Sequence, residues 1–218
     1  MEAKKESLVA KLKKLHRKNA GAIKARLYEF SVVGKESERR VLAELCFCLC
    51  TPQTKAKAAW YNAVLPLMEC GRLYSCEREE LEGFLKNTGV RFHRTKAGNI
   101  IEARKKFAKK GVKETVAGCC DPQELRNRLA EEVRGLGMKE ASHFLRNIGL
   151  GRDLAILDRH ILRNLVLLGV IEKIPKSLTK KKYLEIEDRM REFSKEIRIP
   201  MDELDMLLWM KETGEVFK

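Results

Sequence analysis

A chain of 218 residues can bury a sizeable core and leaves room for one domain or two small lobes. It holds no apolar run long enough to cross a membrane, and its basic N-terminus carries Glu2 and Glu6 without the apolar centre of a signal peptide, which predicts a cytoplasmic protein with no targeting segment. Lys and Arg outnumber Asp and Glu by 45 to 31, a net charge of +14, so the expected partner is a polyanion, nucleic acid before others; a densely charged surface of thermophile type is the competing explanation.

In chain order, Leu8, Leu12 and Leu15 mark one face of a basic helix expected to end near Gly21. Its lysines and arginines either form a solvated face or touch DNA. A second helix is expected over 22–31. Glu36–Leu49 is almost wholly apolar from Val41 and predicts a buried central helix, in which Cys46, Cys48 and Cys50 act as small core residues. It ends before Pro52, which disfavours helix in the residue ahead of it. Gln53-Thr54-Lys55-Ala56 then leads into a helix around Trp60 and Val64. Glu77–Lys86 is a short helix. The stretch from Gly89 to Ala97, with Phe92 among Arg91, His93 and Arg94, is expected as a loop ahead of a helix over Gly98–Phe107. The basic run from Arg104 to Lys113 reads as a solvated face able to steer DNA from a distance.

Asp121-Pro122 opens the next helix, with Pro122 suited to its first turn. Its amphipathic part, Leu125–Val133, runs into Gly135-Leu136-Gly137, and a further helix, Met138–Ile148, follows at once. Two helices joined by a G-x-G turn make a helix-hairpin-helix. The glycines suit a turn that needs positive φ and lets backbone approach another molecule closely. Free N–H groups at the start of the second helix form an anion site suited to phosphate. Lys139 sits in that first turn, where the helix dipole disfavours an ammonium; the same field with partial burial would favour a free, nucleophilic amine. Asp158 comes after the apolar run Leu154–Leu157 and before the helical pattern of Ile161, Leu162 and Leu165. On its own, Asp158 could be an ordinary N-cap, Lys139 a surface lysine, and a G-x-G carries little weight. In register, the three point to chemistry on DNA.

Beyond Asp158, helix is expected to Leu168, then a connector through Pro175 with Lys180-Lys181-Lys182 exposed, an amphipathic helix Tyr183–Ile197, and a last helix Met201–Thr213 closed by Gly214. Leu204, Leu207 and Leu208 form its buried stripe, with Trp209 at the edge and Phe217 able to pin the tail.

This constellation resembles the helix-hairpin-helix DNA glycosylase superfamily. There, the lysine after the second hairpin glycine and a later aspartate are the catalytic pair; Lys139 and Asp158 match them, and His160 matches a residue near DNA phosphate. One departure is Ile156, where relatives often have proline. The stretch Thr51–Ala56 resembles the loop that enters the duplex, so Gln53 would fill the gap left by the extruded base; a glutamine touching only solvent is the alternative. Phe92 would be a second wedge or else a core aromatic. The ending from Trp209 to Lys218 resembles the archaeal-type 8-oxoguanine DNA glycosylase/AP lyases, in which the tryptophan and the final lysine help form the base pocket; core packing and a frayed end are the alternatives. Endonuclease III relatives carry four cluster cysteines near the C-terminus, and this chain has no cysteine beyond Cys120.

The resemblance implies an all-α fold of two helical lobes with a helix-hairpin-helix motif and a DNA-binding cleft between them. Residues 1–34 with 151–218 would form the terminal lobe and residues 35–150 the central bundle. It implies a monomeric base-excision enzyme that removes 8-oxoguanine from double-stranded DNA and cuts the strand through a Schiff base. No cofactor and no side-chain metal site are expected, but a monovalent cation could sit at the hairpin carbonyls near Val133 and Leu136. Gly135 and Gly137 would lie against the phosphate backbone. Two rival readings are an oxidised-pyrimidine glycosylase of endonuclease III type and a non-catalytic helix-hairpin-helix module.

Overall fold

The computed structural model describes the backbone of residues 2–217 and the side chains of residues 5–217. Lys218, expected in the base pocket, therefore lies outside the described residues. Among them, the only regular secondary structure is helical: α1 (Glu2–Val33), α2 (Glu38–Cys50), a π-helical turn (Ala58–Val64) running into α3 (Leu65–Glu69), a single 3₁₀ turn at Arg72–Tyr74, α4 (Arg78–Asn87), α5 (His93–Phe107), α6 (Val112–Ala117), α7 (Pro122–Glu132), α8 (Met138–Asn147), α9 (Arg159–Leu167), α10 (Lys180–Ile197) and α11 (Met201–Thr213).

Three of the expected boundaries differ by more than two residues. The two expected N-terminal helices are one, because Gly21 sits exposed in mid-helix. A helical glycine costs only about 1 kcal/mol against alanine, and Leu12 on one side with Ile23 and Phe30 on the other anchor the helix in the core. The loop expected from Gly89 to Ala97 is short: α5 starts at His93, and Lys96 and Ala97 are buried on its inner face with Ile100. The Lys180–Lys182 stretch is the first turn of α10, capped by the Thr179 hydroxyl accepting from Lys182 N.

Buried apolar side chains gather into two clusters. The first unites α2 to α8 and includes Val33 and Phe217. The second unites α1 with α9, α10 and α11. Leu154 belongs to the first and Ala155 to the second, so the chain crosses the seam just ahead of Asp158. Trp209 packs against both clusters, and Met138, the first residue of α8, packs against the second although α8 is otherwise built into the first. Cys46, Cys48, Cys50 and Cys76 are buried in the first cluster. Burial pushes the Cys46 and Cys76 thiols up and takes Cys50 to about 12.

Buried polar bonds tie the two clusters together. Arg126 of α7 donates through Nη1 to both Glu187 oxygens of α10, at 2.7 and 2.8 Å. Arg146 of α8 donates to Asp205 of α11 at 3.0 Å. Each ion pair joins an element of the first cluster to one of the second.

Candidate active site

The hairpin follows from its residues. Asp121 caps α7 by accepting from Gln123 N at 2.9 Å, and Pro122 fills the first turn. The turn closes with Leu136 N donating to the Val133 carbonyl at 3.0 Å. Gly135 has φ +87, and a Cβ there would lie 2.0 Å from Asn99 Nδ2, so both backbone and space demand glycine. Gly137 differs from the expectation: its φ of −87 is open to any residue. It is the N-cap of α8 and has no side chain to satisfy the first N–H groups, which are left for another acceptor.

Lys139 lies in this first turn with its side chain 26% exposed, and its Nζ is 2.9 Å from Glu140 Oε1. Glu140 was not anticipated; its position beside Lys139 was the only sequence signal. Since Met138 touches the second cluster, Lys139 stands at the seam.

Asp158 stands on the other side of the crossing. Its Oδ1 accepts from His160 N at 2.7 Å and Ile161 N at 2.9 Å, capping α9. The capping role and a chemical role are compatible, because only one carboxylate oxygen is committed. The three residues before it are strapped down through their backbones. Ala155 N donates to Glu187 at 2.8 Å, Ile156 N to Asp205 at 3.1 Å, and Leu157 N to the Tyr183 hydroxyl at 3.4 Å. Ile156, where relatives often have proline, thus supplies an N–H that proline lacks. The Tyr183 hydroxyl also donates to the Ala155 carbonyl at 2.6 Å and lies 3.4 Å from Ser142 Oγ of α8. One phenol therefore touches both the helix carrying Lys139 and the segment carrying Asp158; burial raises its pKa and keeps it a donor. Asp205 is pushed up to about 7 by burial, which outweighs the opposing Arg146 guanidinium.

His160 is half-buried, with Nδ1 4.0 Å from Glu212 Oε2 and Arg159 Nε 3.3 Å from its Nε2. Gln53 and Phe92 are exposed at the C-terminal end of α2 and the N-terminal end of α5. Both adopt left-handed backbone, φ 54 and 56, which non-glycine residues seldom take. The exposure of Phe92, 59%, removes the core-aromatic alternative.

The family model for 8-oxoguanine DNA glycosylase matches residues 23–199. This chain belongs to the 8-oxoguanine DNA glycosylase family. It is 42% identical to the 8-oxoguanine DNA glycosylase/AP lyase of Fusobacterium nucleatum, with 99% of this chain and all of that one covered. Two solved structures of the family superpose closely. The Methanocaldococcus jannaschii enzyme in complex with a 15mer DNA containing 8-oxoguanine has a TM-score of 0.88 at 37% identity, covering 97% of this chain and all of that one. The Thermotoga maritima enzyme has a TM-score of 0.87 at 34% identity, covering 98% and 100%.

In this family member the tail after α11 folds back onto the first cluster. Gly214 ends the helix at φ +82, an ion pair joins Lys57 to Glu215, and the Phe217 ring is buried 5.6 Å from the Tyr61 ring. Arg26 of α1 reaches over Phe217 at 6.0 Å and Phe30 at 4.7 Å. The tail is thereby pinned beside the seam that Trp209 spans. Of the basic run between Arg104 and Lys113, Arg104 donates to the Cys76 carbonyl at 2.7 Å, Lys106 pairs with Glu132 at 2.9 Å and Lys113 bonds the Lys35 carbonyl at 3.2 Å. Three of those charges serve the fold.

Proposed function

We infer that this protein is a bifunctional 8-oxoguanine DNA glycosylase and AP lyase acting in base excision repair. The observation that carries the reading is the convergence on the cluster seam of a helix-hairpin-helix lysine, Lys139, and a helix-capping aspartate, Asp158, in a chain of this family. The seam is the DNA cleft of this proposal. The terminal lobe is residues 1–34 with 151–218, and the central bundle is residues 35–150.

The net charge of +14 supplies phosphate affinity. The N–H groups at the start of α8, after Gly137 in the turn that Gly135 permits, together with His160, hold the backbone of the damaged strand. A base inside the stack cannot be read at its C8 edge, so the lesion is extruded. Gln53 and Phe92 then fill and prop the duplex, and Trp209 lines the pocket. Lys139 Nζ gives up a proton and attacks C1′; the C1′–N9 bond breaks and its electrons leave with the base. The carboxylate of Asp158 stabilises positive charge at C1′ as that bond lengthens. The C1′–O4′ bond then breaks, O4′ takes the proton and the opened sugar becomes a Schiff base, after which loss of a C2′ proton drives β-elimination of the 3′ phosphate. The Val133 and Leu136 carbonyls would hold a monovalent cation, which would supply positive charge to the phosphate backbone: the Val133 oxygen accepts one N–H and keeps a second lone pair. We assign the acting form as a monomer in the cytoplasm.

The test is borohydride trapping on a duplex with 8-oxoguanine opposite cytosine. A covalent adduct with the wild type and none with Lys139→Gln is expected. Tight binding with no adduct would leave the non-catalytic module, and trapping on thymine glycol alone would leave the endonuclease III reading.

A further inference from the structure

Lys96 is 4% exposed, in the first turn of α5. Both the burial and the helix dipole oppose an ammonium there. Its Nζ donates to the Cys50 carbonyl at 2.7 Å, the Pro52 carbonyl at 2.7 Å and Thr54 Oγ1 at 2.9 Å. Three acceptors use all three ammonium hydrogens. Two of them, Pro52 and Thr54, flank Gln53. The backbone of the same residue holds the other loop, since Lys96 N donates to the Phe92 carbonyl at 3.0 Å. Thr54 Oγ1 also accepts from Arg91 N at 3.2 Å, giving a second link between the loops. The two residues so bracketed, Gln53 and Phe92, are two of the three non-glycine residues with positive φ among the described residues. Left-handed backbone of this kind persists only where the surroundings enforce it.

We propose that Lys96 is a positioning residue that locks the two loops into one two-pronged wedge, so that Gln53 and Phe92 enter the duplex together. This rests on the wedge reading of those two residues given above. The clamp works only as an ammonium, because a neutral amine has two hydrogens for three acceptors. Burial pushes Lys96 down to about 8, with the Glu140 carboxylate opposing the shift. Cys50 itself remains a thiol in this range. The clamp should therefore open as pH rises through about 8.

The experiment measures single-turnover excision of 8-oxoguanine, and in parallel lyase cutting of a preformed abasic duplex, between pH 7 and 10. Wild type, Lys96→Met, Thr54→Val, Gln53→Ala and Phe92→Ala are compared. Opening a duplex around a missing base needs less wedging. Lys96→Met and Thr54→Val should thus lose at least tenfold more in excision than in lyase cutting. The wild type should lose excision rate on an alkaline limb near pH 8 that Lys96→Met lacks. Thr54→Val keeps the two carbonyl bonds and serves if Lys96→Met does not fold. Slow excision in Gln53→Ala and Phe92→Ala, with Thr54→Val and Lys96→Met at wild-type rates and profile, overturns the clamp alone. Wild-type excision in both Gln53→Ala and Phe92→Ala overturns the wedge reading itself.

Discussion

Replacing Arg126 with methionine should be among the most damaging single changes available outside the site. The guanidinium is fully buried, its Nη1 bonds both oxygens of a Glu187 that is itself buried, and it lies 5.6 Å over the Tyr183 ring. After the change, Glu187 keeps the Ala155 N–H at 2.8 Å and has Arg191 only at 3.6 Å. Breaking a buried pair and stranding one charge costs about 3–5 kcal/mol. For a chain of this size, 1 kcal/mol moves Tm by roughly 2–4 °C, so Arg126→Met should melt about 6–20 °C below the wild type. The double variant Arg126→Met/Glu187→Gln strands no charge and keeps an acceptor for Ala155, so its loss should fall short of the summed single losses by about 2 kcal/mol or more. Calorimetry on the four proteins gives the cycle. Since Glu187 holds the segment leading to Asp158, borohydride trapping by Arg126→Met should also slow at temperatures well below its Tm. A Tm shift under about 3 °C, or additive losses, would refute the reading of this pair as a tie between the two clusters.

Gly135→Ala places a methyl 2.0 Å from Asn99 Nδ2 on a backbone at φ +87; duplex affinity measured by anisotropy should fall at least tenfold, and unchanged binding would show that the turn can relax. Asp205 binds its proton more tightly folded than unfolded, because its pKa is raised to about 7. The stability it contributes is complete below the unfolded value near 4 and is lost as pH rises through about 7. Asp205→Asn removes this titration, so from pH 5 to pH 8 its stability should improve relative to the wild type by about 3 kcal/mol. Parallel pH slopes in thermal melts would contradict it.

The site was legible where its geometry is local. The G-x-G turn, Lys139 in the first turn of α8 and Asp158 at the cap of α9 all follow from spacing within a few dozen residues, and the last helix was placed at its observed ends. What escaped is tertiary. Gly21 looks like a terminus until Leu12, Ile23 and Phe30 are seen to hold both halves of α1. Lys96 reads as one more loop lysine until α5 is extended back to His93, when it falls on the face of Ala97 and Ile100. Asp205 and Glu187 look solvated in charged helices. Their helical phase gave a hint, since Asp205 lies on the side of Leu204 and Leu208, but a carboxylate is tolerated there only because Arg146 and Arg126 arrive from distant parts of the chain.

The chemistry of the lesion bears on the cysteines of α2. Oxidants that convert guanine to 8-oxoguanine also attack sulfur, and they attack the thiolate far faster than the thiol. Cys46, Cys50 and Cys76 are sheltered by burial and held protonated by the same burial. Cys70 and Cys120, the exposed ones, sit in turns outside every position assigned to the site. The thiols that peroxide can reach, Cys70, Cys120 and the partly exposed Cys119, thus lie away from Lys139 and Asp158 in the chain, while those packed into α2 are shielded.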